Sequence, residues 1–113
     1  MRRKLDPPLE RHEEAACIDA YQLAGCVVVS FAQPRHTMQS GGIPDLRVYD
    51  ERTGTAWWHE VKRRQGPEYR KVRSEQRPGQ RAFQELAESC GEEYVLGPLS
   101  AALDKLRRLG RIK

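Results

Sequence analysis

The chain has 113 residues, 32% of them charged and 38% hydrophobic, with a formal charge of +4 at neutral pH; that is one domain with a single modest core. No apolar run approaches the about 20 residues of a membrane-crossing helix, and the basic start Met1-Arg2-Arg3-Lys4 has no apolar stretch behind it, which excludes a secretion signal. Cys17, Cys26 and Cys90 are odd in number, far apart and without paired spacing, so they fit reduced thiols in a cytoplasmic protein, each buried as a small hydrophobe, rather than a disulfide framework or a zinc site.

Residues 1–9 read as a flexible arm ahead of one domain over 10–113. A helix is predicted over 10–24, its apolar side carrying Cys17, Ile18, Tyr21 and Leu23, with Gly25 as the stop. Cys26–Ala32 is rich in β-branched residues and reads as a buried strand. A loop follows from Gln33 to Gly42. Asp45–Tyr49 alternates with period two, Asp50–Gly54 is a hairpin turn, and Thr55–Lys62 is the partner strand. Arg63–Arg77 has no period and reads as a mobile basic loop. Pro78 opens a helix to Cys90 with Phe83, Leu86, Ala87 and Cys90 on one face; Glu93–Leu96 is a short strand; Leu99, Leu103, Leu106 and Leu109 mark a last helix. The order α-β-β-β-α-β-α predicts an α/β fold with a mixed sheet whose first three strands form a meander.

Chemistry concentrates between Gly41 and Lys62. Asp45 heads one strand, while Glu60 and Lys62 end the next, sharing a face because side chains alternate; Val61 between them points the other way. Hard cations such as Mg²⁺ or Mn²⁺ take oxygen ligands, commonly one or two carboxylates with waters and substrate phosphate. Asp45, Glu60 and the Val61 carbonyl can supply three such oxygens, and Lys62 can hold a phosphate oxygen or the attacking water. In isolation the pattern is short, and solvated charges at a strand end explain it better.

The surrounding charge favours the first explanation. From Lys62 to Arg81 there are eight basic residues against Glu68 and Glu75. Arg63, Arg64, Arg70, Lys71, Arg73 and Arg77 form a cluster beginning at Lys62, suited to tracking a DNA backbone by counterion release. Gln80 is either an exposed helix residue or, at a helix N-terminus, a partner for phosphate. His59 alternates away from Glu60 and reads as structural; His36 and His12 read as solvated, and one of Trp57 and Trp58 as core.

Gly42-Ile43-Pro44-Asp45-Leu46, Glu60-Val61-Lys62 and Arg77-Pro78-Gly79-Gln80-x-x-Phe83-x-x-Leu86, in this order, resemble the PD-(D/E)xK nuclease superfamily and its VRR-NUC branch, the virus-type replication-repair nucleases. The resemblance spans about residues 11–109. It implies a restriction-endonuclease-like core and a metal-dependent DNA endonuclease acting on branched, flapped or Holliday-junction DNA, in a phage-type replication and repair setting within a bacterial or phage-infected cell, working as a homodimer. It also implies a helix-borne glutamate near the metal, Glu13 in preference to Glu14, and a catalytic place for Gln80. The helix lacks the serine that usually caps it in this branch. A non-catalytic DNA-binding module and a toxin or restriction-type nuclease on the same fold are the competing classes; intact Asp45, Glu60 and Lys62 argue against the former.

Overall fold

The computed structural model describes residues 3–31, 42–72 and 75–113; His36 and Arg73 lie outside them. Helix α1 spans Glu10–Leu23. It buries Cys17 and Tyr21 one turn apart and ends as the glycine predicts: Gly25 takes φ 89°, and the Cys26 amide returns to the Tyr21 carbonyl at 2.9 Å. Strands β1 (Val27–Ser30), β2 (Leu46–Asp50) and β3 (Thr55–Val61) form the antiparallel meander, and β4 (Glu93–Gly97) joins β3 in parallel. Helix α2 (Pro78–Ser89) and helix α3 (Leu99–Arg108) flank the sheet, whose order is β1-β2-β3-β4. The expected α/β class and mixed sheet hold.

The core lies between the sheet and the pair α1 and α3: Cys17, Tyr21, Leu46, Val48, Trp57, Val61, Val95, Ala102 and Leu106. Strand alternation divides the tryptophans. Trp57 is fully buried with an edge-on Tyr21 ring, whereas Trp58 faces α2 and meets Phe83 edge-on at 5.0 Å. The β2–β3 turn is tied by Asp50, whose oxygens accept from the Arg52 amide and the Thr53 hydroxyl and lie beside the Arg111 guanidinium.

Two expectations are corrected. β1 is not a buried strand but the sheet edge, with Val27 and Val29 about half exposed and Val28 partly buried against the core. Its valines announce β structure but not which strand lies outermost. Cys90 is exposed at the end of α2, and Leu86 is 63% exposed, because α2 seats only Phe83 and Ala87 on the sheet. The segment after β3 also has regular partners. Leu5 bridges Tyr69, its amide donating to Glu68 and its carbonyl accepting from Arg70, so the residues before α1 lie along this segment.

One close approach fixes the start of the Asp45 motif. Gly42 has φ 119°, and a Cβ there would lie 2.4 Å from the Gly79 carbonyl oxygen at the first turn of α2. Backbone of one element therefore touches backbone of the other, which only glycine permits. Gly42→Ala combines a strained dihedral with overpacking, and should cost about 2–3 kcal/mol. Thermal unfolding of the variant checks this; an unshifted midpoint would mean that the two backbones are not in contact.

Candidate active site

The β2–β3 register pairs Leu46 with His59. Asp45 sits at a bend one residue before β2, next to the end of β3, and the charge of Glu60 acts on its carboxyl, so the two carboxylates lie near each other. Asp45 is anchored by the Val61 amide, which donates to Oδ2 at 2.7 Å. Glu60 is fully buried. Its Oε1 accepts from Gln76 Nε2 at 2.9 Å and Tyr94 Oη at 2.5 Å, and its Oε2 faces Lys62 Nζ at 3.0 Å. Lys62 also donates to Gln80 Oε1 at 3.3 Å, the same oxygen that accepts the Arg77 amide at 2.9 Å. Gln80 thus does two things: from the third position of α2 it accepts the N-cap amide of Arg77, and it holds the Lys62 ammonium.

Like charges near each other repel. Burial, aided by the charge of Glu60, holds the Asp45 carboxyl above its ordinary range despite the opposing Val61 hydrogen bond and Lys62 ammonium. One lysine thus answers two carboxylates.

Glu13, the helix carboxylate preferred from the sequence, is buried but points elsewhere. Oε1 caps α3 at the Leu99 amide, 3.1 Å away, and Oε2 pairs with Arg64 Nε at 2.7 Å. The helix glutamates that feel the charge of Asp45 are Glu10 and Glu14, one helical turn apart. Burial first, then the charge of Asp45, raises both carboxyls, and Glu10 also senses Lys62, Arg77 and Glu60. Glu14 accepts from Ser30 at 3.1 Å. Glu14 was the alternative the sequence offered; the signal that could have found Glu10 was its i, i+4 spacing from Glu14 along one face of α1.

His59 occupies the other strand face, as alternation predicts. The Gly97 carbonyl can only accept, so Nε2 carries the proton at 2.8 Å from it, and Nδ1 accepts from Tyr21 Oη at 2.7 Å. Burial lowers the His59 pKa to about 4. Burial likewise pushes the Cys17 thiol up to about 12, which leaves it inert as a nucleophile.

The basic cluster is partly committed within the molecule. Arg63 donates to the Pro7 and Pro8 carbonyls, at 2.8 and 3.0 Å, Arg64 pairs with Glu13, and Arg70 lies 3.3 Å from Asp6. Lys71 and Arg77 are exposed, Arg77 at the α2 N-terminus beside Gln80. These contacts orient the cations without removing their charge.

The donor set fits a hard divalent cation: two neighbouring carboxylates, one in excess over the ammonium that pairs with Glu60, and the Val61 carbonyl. Among the described residues no three His, Cys, Asp or Glu side chains converge as a ligand cluster, so protein carboxylates alone would not enclose the ion.

No protein-family model and no curated protein matches the chain. Among solved structures, it is similar to a chain described as a VRR_NUC domain, with a TM-score of 0.61 and 23% sequence identity, covering 88% of this chain and 94% of that one. What the two share is the fold: helix, three-stranded meander, helix, parallel strand, helix. The resemblance read from the short motifs therefore has its counterpart in the tertiary structure.

Proposed function

We propose that this chain is a divalent-metal-dependent DNA endonuclease of the PD-(D/E)xK type, selecting branched, flapped or four-way DNA by shape in phage-type replication or repair and working as a homodimer. The observation that carries the reading is the approach of the Asp45 and Glu60 carboxylates at the entry to β2 and the end of β3, with Lys62 held between Glu60 and Gln80. Asp45, Glu60 and the Val61 carbonyl would hold Mg²⁺ or Mn²⁺, with Glu10 and Glu14, rather than Glu13, as the helix carboxylates nearest Asp45. When bound, such an ion lowers the pKa of water and offsets charge on the scissile phosphate.

The protein's own groups supply the remainder. Lys62, kept close by Glu60 and Gln80, is placed to meet negative charge growing on a phosphate oxygen. The α2 N-terminus with Arg77, together with Lys71 and the oriented Arg63, Arg64 and Arg70, would receive the DNA backbone. These are phosphate-directed groups and carry no base-reading pattern, which is why shape is the selected feature.

Linear, flapped and four-way DNA incubated with the protein, with and without Mn²⁺, tests the reading. Metal-dependent cleavage, strongest on a branched substrate, is expected; no cleavage of any substrate under either condition would overturn it. Asp45→Asn should abolish Mn²⁺ binding in calorimetry, since an amide oxygen is a poor ligand for a hard cation. The same change relieves repulsion from Glu60 while an amide oxygen can still accept from Val61, so the metal-free melting temperature should rise, as it does where a site is held at the expense of stability. Unchanged Mn²⁺ affinity, or a lower melting temperature, would contradict this placement of Asp45.

A further inference from the structure

Glu60 is held by more than its lysine. The parallel β3–β4 register sets Tyr94 beside Trp58 and Leu96 beside Glu60. Tyr94 therefore lies on the same sheet face as Glu60, two residues away along the neighbouring strand, within reach of its phenol. Its hydroxyl donates to Glu60 Oε1 at 2.5 Å. Gln76 donates to that same oxygen at 2.9 Å and, through the same amide nitrogen, to Gln84 Oε1 of α2 at 2.8 Å. One carboxylate oxygen thus accepts from two neutral donors, on β4 and on the segment entering α2. The other, Oε2, faces the Lys62 ammonium.

We infer that Tyr94 and Gln76 are positioning residues that lock the Glu60 carboxylate by its Oε1, so that Oε2 alone is presented to the metal and to Lys62. The inference rests on the nuclease reading above and extends it to residues that touch neither metal nor substrate. A buried carboxylate on a strand end could rotate about its last torsion, which is broad and nearly two-fold. Two donors converging on one oxygen remove that freedom, and Gln84 removes it from Gln76 in turn. Donors of this kind, bound to a ligand and not to the metal, typically change metal affinity by about 10–100-fold when lost.

The alternative role is structural: the phenol and amide satisfy a buried carboxylate and do nothing for the metal. Calorimetric Mn²⁺ titration of the full chain separates the two, with the metal-free melting temperature measured alongside. Tyr94→Phe keeps the ring and removes only the hydroxyl; Gln76→Ala acts at a segment between elements and decides the matter alone if Tyr94→Phe does not fold. Each should weaken Mn²⁺ binding by about tenfold or more, while Tyr49→Phe, at an exposed position of β2, leaves it unchanged. Wild-type affinity in folded Tyr94→Phe or Gln76→Ala, with only a lowered melting temperature, would overturn the inference and leave the nuclease reading intact. Wild-type protein that binds no Mn²⁺ would overturn both.

Discussion

Lys62→Ala is expected to lower DNA cleavage by about 10²–10³-fold, the usual effect of removing one group aimed at charge that develops in the transition state. DNA affinity should change little, because one phosphate contact among many is a small share of a salt-driven association. The geometry adds a second consequence. Lys62 is the ammonium facing the fully buried Glu60 carboxylate, at 3.0 Å. Removing one partner of a buried pair leaves the other charge uncompensated, at a cost of about 3–5 kcal/mol. Tyr94 and Gln76 remain on Glu60 and moderate that cost. The metal-free variant should therefore melt well below the wild type, and Mn²⁺ should restore much of the difference because a cation takes over the role of the lysine. Rates are to be compared at a temperature where both proteins are folded. Wild-type cleavage by the variant would remove Lys62 from the chemistry, and a melting temperature insensitive to Mn²⁺ would show that the cation does not sit beside Glu60.

Acid should unfold this protein through His59. Its pKa is lowered by burial to about 4 from the ordinary imidazole value of 6.5. Because the folded value lies below the unfolded one, the unfolded chain binds a proton that the native ring refuses. The stability contributed is complete above pH 6.5 and is lost as the pH falls toward 4. A shift of this size corresponds to about 3 kcal/mol, a large part of a domain's stability. Asp45, Glu10 and Glu14, whose carboxyls are raised, act in the opposite direction at the lower end of that window. The comparison is therefore with His59→Asn, which has no titrating ring. The variant should lose the relay from Tyr21 through the ring to Gly97 and be less stable at pH 7, yet its stability should fall less steeply between pH 6.5 and 4.5. Parallel stability curves for the two proteins would show that His59 does not carry the acid sensitivity.

Much of the fold was legible in the chain because its signals are local. Period-two alternation separated Trp57 from Trp58 and His59 from Glu60, the turn residues of 50–54 fixed the hairpin, and the register that this hairpin enforces, with Leu46 opposite His59, brings Asp45 to the end of β3 that carries Glu60. The motif residues Asp45, Glu60, Lys62 and Gln80 are brought together because they sit at the ends of elements whose limits the sequence marks. Tertiary structure decided what depends on which surfaces meet. Whether β1 is central or an edge depends on what lies beside it, and three valines read the same in both places. Glu10, Glu13 and Glu14 share one turn and a half of α1. Only the packing of α3 turns Glu13 to the Leu99 amide and Arg64 and leaves its neighbours toward Asp45. Tyr94 reaches Glu60 across a parallel pairing that joins residues more than thirty positions apart, and no local pattern encodes a parallel register. The sequence by itself determined the elements and the motif residues that meet at their ends; the tertiary structure decided which of the many other charged and polar side chains were turned toward them, because partner choice is settled by close packing and not by spacing along the chain.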